Sequence, residues 1–198
     1  MKIIGKNSLS QYISYFLFVL FIILTVQFIY EQIGYATSYY NFKTNNSMLS
    51  DFYIIGNDVG WAKNHYTAKF DDLMKFKFYV PFTTQNLITG IFSLTTYISN
   101  TVRGIFMIAF FYSSYNIFKE ISNEKVFNLK AILWLKRFGW LNILYTVAMI
   151  VISIFRVKDL GITAFSAIPF LFFGVLILFI VEFFKKGYNL QSENDLTI

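Results

Sequence analysis

Apolar residues run almost unbroken from Tyr12 to Tyr30 in YISYFLFVLFIILTVQFIY, where Gln27 is the one strongly polar position. A helix rises about 1.5 Å per residue, so about 20 such residues are needed to cross the hydrocarbon core of a bilayer. Three further segments qualify: about Tyr97 to Phe118, about Leu135 to Phe155, and Ala164 to Phe184, which contains PFLFFGVLILFIVEFF. The pattern predicts an all-α integral membrane protein built as an antiparallel bundle of four transmembrane helices. The competing interpretation of the first segment is a cleaved signal peptide, with Lys2 and Lys6 ahead of it and Ala36-Thr37-Ser38 downstream. Its apolar run exceeds the roughly 7–15 residues of a signal h-region and no clean A-x-A site follows, so it is kept as a membrane span.

The second span is harder to place. Polar and apolar residues alternate from Thr83 to Asn100, as in GIFSLTTYISN, and Arg103 interrupts the hydrophobic pattern. An arginine at the bilayer centre costs about 3 kcal/mol on insertion scales. With Phe118 at the inner edge, Arg103 lies 15 residues away, roughly 22 Å along the helix, and can snorkel to the outer headgroups. The helix is therefore expected to begin near Thr83 as an amphipathic stalk and to enter lipid near Tyr97. The alternative role for Arg103 is to line an ion or substrate path.

Residues 31–82 form a connection too long for a simple loop. DFYIIGNDVGW and MKFKFYVPF carry β-favouring residues bounded by Gly56, Gly60 and Pro81, which predicts a small strand pair packed on the stalk. The expected organisation is one membrane domain: a first span over about 12–30, an extracytoplasmic loop over 31–82, stalk and second span over about 83–118, a cytoplasmic loop over 119–134, a third span over about 135–155, a fourth over about 164–184, and a cytoplasmic tail over 185–198.

Charge orients this arrangement. Lys119, Lys125, Lys130, Lys136 and Arg137 cluster between spans two and three, Lys2 and Lys6 precede span one, and Lys185 and Lys186 follow span four. With four spans all three clusters fall on one side, which the positive-inside rule makes the cytoplasm, with both termini there. The outer loop also has five lysines, balanced by five acids, and Arg156 and Lys158 in the short outer turn run against the trend. Phe127, Ile132, Leu135 and Phe138 keep helical spacing with Lys130, Lys136 and Arg137 interleaved, as in an interfacial helix leading into span three. Gly139 permits close packing where that helix enters the bundle.

Composition agrees with lipid as solvent: 56% of the 198 residues are hydrophobic and only 14% charged, against about 25% charged in soluble domains. The heavy use of Phe, Tyr, Ile, Asn and Lys reads as an AT-rich, bacterial coding sequence, hence a bacterial inner membrane. The net charge of +6 is scattered between apolar spans, which fits anionic headgroups and offers no basic face for nucleic acid.

Candidate chemistry is sparse. The absence of cysteine excludes disulfides and thiolate metal sites, and a single histidine, His65, leaves no pair for a haem or histidine-based metal site. No phosphate loop, dinucleotide-binding glycine pattern or nucleophile elbow occurs, so no enzyme activity, cofactor or catalytic residue is expected. Asp71-Asp72 reads as a solvated turn or helix cap, and His65 has no assignable acid partner. Pro169 and Gly174 place one kink in span four, short of the broken helices that transporters use. Glu182 is spaced to pair with Lys185 or Lys186 at the interface, with a proton relay as the alternative.

The last 17 residues, EFFKKGYNLQSENDLTI, hold the pattern E-x-F-x-x-G-x-x-L-x-x-E-x-D-L-T-I, carried by Glu182, Phe184, Gly187, Leu190, Glu193, Asp195, Leu196 and Thr197. This resembles the C-terminal signature of the DUF2975 family of bacterial membrane proteins. Phe127-Asn128 followed by LKRFGW, Leu135 to Trp140, is similar to a second recurrent stretch of that family. The resemblance covers roughly residues 100–198 and implies little about activity, because the family is uncharacterised. Its members are described beside small helix-turn-helix regulators of the Cro/C1 type, which implies a membrane protein that captures or releases such a regulator.

The resulting expectation is a membrane-embedded regulatory or adaptor protein with the lipid bilayer and a small cytoplasmic DNA-binding regulator as partners. Contact with that regulator would fall on Gly187, Leu190, Glu193, Asp195, Leu196 and Thr197, with Gly187 ending the last helix and releasing an acidic tail. Against this stands a tail folded back on loop 119–137. A transport or channel component using Arg103 and Glu182 and a toxin-immunity protein are the alternatives, and a homo-oligomer stays open.

Overall fold

The structure is a computed structural model that describes residues 3–5, 7–56, 73–123, 125–154 and 160–196, with 160–164 and 194–196 described as backbone alone. Four helices and three strands follow in the order α1 (Leu9–Thr44), β1 (Tyr53–Ile55), β2 (Lys75–Tyr79), β3 (Asn86–Ile91), α2 (Leu94–Ile121), α3 (Leu129–Ile154) and α4 (Leu160–Leu196). Among the described residues, α1, α3 and α4 are long and apolar enough to cross a membrane. The chain divides into two compact units, one of residues 1–25 with 102–198 and one of residues 26–101.

In the first unit, ring contacts fix how the helices run. Phe18 and Phe21 of α1 meet Tyr115 and Tyr112 of α2, in opposite sequence order, so the two helices are antiparallel. Phe106, Phe110 and Tyr112 of α2 likewise meet Tyr145, Phe138 and Trp134 of α3. Phe138 and Tyr145 of α3 then meet Phe173 and Phe170 of α4, again antiparallel. The buried face of α3 recurs at heptad spacing: Leu135, Gly139, Asn142, Thr146, Met149, Ser153. Its expected small residue is used as anticipated. A Cβ on Gly174 would stand 2.7 Å from the Gly139 carbonyl, so the α3 and α4 backbones nearly touch there.

The second unit wraps a three-stranded antiparallel sheet, ordered β1-β2-β3, against the C-terminal part of α1. Tyr53 pairs with Phe78 and Lys75 with Ile91. Phe76 and Phe78 are almost wholly buried, with the Tyr35 ring edge-on to both at 5.2 Å. Gly34 makes room for this packing, since a Cβ there would stand 2.7 Å from the Tyr53 ring. Asn100 Nδ2 donates to the Tyr35 hydroxyl (2.9 Å) and the Tyr97 hydroxyl donates to Gln32 Oε1 (3.0 Å), which ties the start of α2 to α1.

Three expectations need correction. The segment 83–93, read as the stalk of a helix, contains β3. The alternation that looked like an amphipathic helix is the period of a strand, with β-branched Ile88, Thr89 and Ile91 in it. Helix α2 starts only at Leu94, where Ser93 Oγ accepts from the Thr96 amide (3.1 Å) as an N-cap. Helix α1 continues 14 residues past Tyr30, into the region expected to be loop, and stops at Thr44. There Asn45 takes φ 52° and the Asn46 amide returns to the Asn41 carbonyl at 3.2 Å. Helix α4 likewise does not stop at Gly187. The strand pair expected in the outer loop is present as β1 and β2, while His65, Asp71 and Asp72 lie outside the described residues.

Candidate docking face

Helix α4 has 37 residues and is about 56 Å long, well beyond the ~30 Å hydrocarbon core. Its last turns therefore extend past its apolar stretch and carry most of the C-terminal pattern as helix, where a released tail was expected. Glycine tolerates helix poorly, so Gly187 needs a reason to sit inside one. The reason is steric: its Cβ would lie 2.7 Å from Phe127 Cδ1 and 2.8 Å from Cε1. The Phe127 ring from the α2–α3 connection lies flat on the α4 backbone and meets Phe184 edge-on at 5.3 Å.

Asn128, beside it, is the joint of the connection. Its Oδ1 accepts from the Ala131 amide (2.8 Å) and caps α3, while its Nδ2 donates to the Lys125 carbonyl (3.0 Å) and the Glu120 carbonyl (3.3 Å). One side chain thus joins the last turn of α2, the connection and the first turn of α3. Phe184 and Tyr188 pack on the buried cluster of Ile117, Ile132, Leu135, Phe138, Ile177 and Val181. A shallow groove of about 350 Å³ opens here between Glu120, Lys125, Asn128, Lys130 and Tyr188. Its charges are mixed, and Leu129 and Leu190 stand exposed on the same end of the unit, each more than 60% accessible.

The expected contact residues are therefore distributed as follows. Gly187 is a packing position, Leu190 and Glu193 are exposed on α4, Asp195 and Leu196 belong to its last turn, and Thr197 lies outside the described residues. Phe127, expected to lead an interfacial helix into the third span, lies instead in the connection, since α3 begins only at Leu129, and what pairs it with Gly187 is tertiary contact. Glu182 does pair with Lys185 at 2.6 Å, as its spacing predicts, with both side chains about half exposed or more. An exposed exchange of this kind is worth about 0–1 kcal/mol.

Arg103 is exposed on α2, within side-chain hydrogen-bonding reach of the Tyr145 hydroxyl. Tyr145 stacks on Phe106 at 3.8 Å and meets Phe170 edge-on. Glu182 follows Phe170 by 12 residues on α4, about 18 Å along the axis, so Arg103 and Glu182 do not converge. The more unusual polar group is Asn142, wholly buried against α4. Its Nδ2 donates to the Phe138 carbonyl (2.7 Å), but its Oδ1 has no partner. Thr146 Oγ1, one turn on, lies 3.0 Å from both the Asn142 and Ala167 carbonyls and shares its proton between them. The sequence reading missed both; the signal was a heptad row containing Asn, Thr and Ser inside an otherwise apolar helix. Among the described residues no group of acids or histidine could hold a metal ion.

Long apolar helices packed through aromatic rings and a glycine contact, joined to a small sheet unit, define a helical membrane protein. The family comparison sharpens this. The chain belongs to the family described as "Protein of unknown function (DUF2975)", whose model matches residues 80–198. That match spans α2, α3, α4 and the Phe127–Gly187 contact. No curated protein and no solved structure matches the chain.

Proposed function

We propose that the protein is a four-span adaptor of the bacterial cytoplasmic membrane, whose inner face holds a small soluble DNA-binding regulator. α2 crosses as the fourth span: it packs through its rings against α1, α3 and α4, which are long and apolar enough to cross. Arg103 then lies toward the outer headgroups. The cationic α2–α3 connection, with Lys185 and Lys186, faces the cytoplasm under the positive-inside rule, and by connectivity residues 31–82 are outside.

The observation that carries the docking role is the Phe127–Gly187 contact. It fixes α4 as a rigid extension beside the connection and leaves Leu129 and Leu190 exposed next to the charged groove. Exposed apolar side chains on a fixed scaffold with a polar rim are what a helix-groove partner requires. The transport alternative draws on buried Asn142; Arg103 and Glu182, about 18 Å apart along the axis, would line different levels of such a path and form no common site.

The test is co-purification of the detergent-solubilised full chain with a small helix-turn-helix protein encoded beside it. Leu190→Asp should abolish recovery of that protein while the membrane protein keeps its level and unfolding midpoint. Recovery unchanged by Leu190→Asp and by Leu129→Asp would sink the idea.

A further inference from the structure

The sheet of the second unit lies along α1 in an order that can be read contact by contact. Phe92, just after β3, meets Tyr39 at 5.5 Å. Phe76 and Phe78 of β2 meet Tyr35 at 5.2 Å. The Tyr30 hydroxyl donates to the Tyr79 carbonyl at 2.8 Å. Going along β2 toward its C-terminal end therefore means going along α1 toward its N-terminal, apolar half. Tyr30 closes that apolar run and Glu31 is the first charge after it. Helical side chains lean toward the helix N-terminus, so the Tyr30 hydroxyl, and with it Tyr79, lies on the apolar side of the Tyr30 Cα.

The β2–β3 turn continues in the same direction. It is closed by the Val80 amide bonding to the Gln85 carbonyl (2.9 Å) and the Thr83 amide to the Val80 carbonyl (3.0 Å). Residues 81–86, Pro-Phe-Thr-Thr-Gln-Asn, are all exposed and carry no charge. Phe82 is 95% exposed and takes φ 61°, a left-handed conformation that aromatic residues rarely adopt. Its ring meets Phe52 edge-on at 6.1 Å, with Asp51 lining the same open hollow as Phe52, Phe82 and Thr84; a single exposed phenylalanine so placed would need no explanation. Here, however, it stands inside the Val80–Thr83 turn, beyond Tyr79 by about one strand residue and the depth of a turn, on the order of 5–7 Å, which falls within the ~5–10 Å immersion of interfacial apolar groups.

We propose that the Val80–Gln85 turn is a membrane-immersed finger that seats Phe82 in the headgroup–acyl boundary of the bilayer crossed by α1. Lipid is the occupant the level selects. Exposure of the ring is then burial in lipid, residues 81–86 bring no charge to dehydrate, Asp51 beside them stays at headgroup level, and the backbone strain is offset by what the ring gains. The finger also fixes the height of the sheet above the membrane. The inference rests on α1 as a membrane span and is independent of the docking role.

The chain has no cysteine, so single introduced cysteines carry a unique nitroxide label. Full-length Phe82→Cys, Thr84→Cys and Asn46→Cys, reconstituted in phosphatidylcholine–phosphatidylglycerol vesicles, are compared by collision with oxygen and with a water-soluble nickel chelate. Labels at 82 and 84 should favour oxygen over nickel by roughly threefold or more relative to the label at 46, as expected of interfacial immersion. Thr84→Cys keeps Phe82 in place and decides the matter if Phe82→Cys does not fold. Nickel access at 84 equal to that at 46 would mean a water-exposed turn. Shielding at 84 from both reagents would mean a protein contact, and either result overturns the proposal.

Discussion

A Cβ built on Gly187 would stand 2.7 Å from Phe127 Cδ1, so the α2–α3 connection rests on α4 at a position where that helix carries no side chain. The contact turns two separate stretches of sequence into one surface. It also converts a residue that reads as a helix stop into a helix–loop contact.

Gly187→Leu should displace the Phe127 ring and destabilise the protein by about 1–3 kcal/mol, the usual range for overpacking. Unfolding in a denaturing-detergent titration measures it. In a Phe127→Ala background the same change should cost clearly less, because contacting residues are not additive. Equal losses in both backgrounds would remove Phe127 as the neighbour that matters.

Gly174→Val should be more damaging than Gly90→Ala. A Cβ on Gly174 meets the Gly139 carbonyl, a backbone atom, at 2.7 Å, whereas a Cβ on Gly90 meets the Phe76 ring at 3.4 Å. The first requires α3 and α4 to separate, at about 2–3 kcal/mol or more, and the second stays within about 1 kcal/mol. The same titration ranks the two.

Asn142→Leu should leave stability unchanged or raise it, by up to about 1–2 kcal/mol, since it removes a buried oxygen with no partner. Thr146→Val loses the link to the Ala167 carbonyl. It should cost about 0.6 kcal/mol, the usual scale for hydrogen bonds between membrane helices. A strong loss of stability from Asn142→Leu would remove the orphaned oxygen as the dominant cost at this position.

Burial raises the phenol pKa of Tyr53, and of Tyr35 despite the hydrogen bond from Asn100 that pulls it down. The folded chain then keeps these protons at a pH where the unfolded chain, near its ordinary value of 10, releases them. Stability of the sheet unit is therefore fully present below pH 10 and declines above it. Phenolate absorbance followed against pH should show these tyrosines titrating late, together with loss of near-UV circular dichroism. Tyr53→Phe should flatten that decline.

The three helices long and apolar enough to cross a membrane, α1, α3 and α4, were legible because each holds a run of about 20 mostly apolar residues, a pattern that needs no tertiary partner to be recognised. β1 and β2 were legible for a similar reason, being short β-favouring runs between turn residues. β3 was not, because GIFSLTTYISN begins inside the strand and ends inside α2, and one alternating stretch covers two elements. Phe127 reads as part of an interfacial helix and Gly187 as a helix end, and their contact was hidden, since residues 60 apart in sequence have no spacing rule that joins them.

What the sequence determined by itself is the solvent. So few charges and such long apolar segments leave lipid as the medium, and Lys185 three residues after Glu182 is enough to predict their pairing on a helix face. What only the tertiary structure decided is where the helices end and what their small residues do. Tyr30 closes the apolar run, yet α1 continues to Thr44 because the sheet packs on its far side through Gly34 and Tyr35. α4 passes through Gly187 because the Phe127 ring fills the space a side chain would take. Local propensity is worth about 1 kcal/mol at a glycine, and burial of an aromatic ring outweighs it.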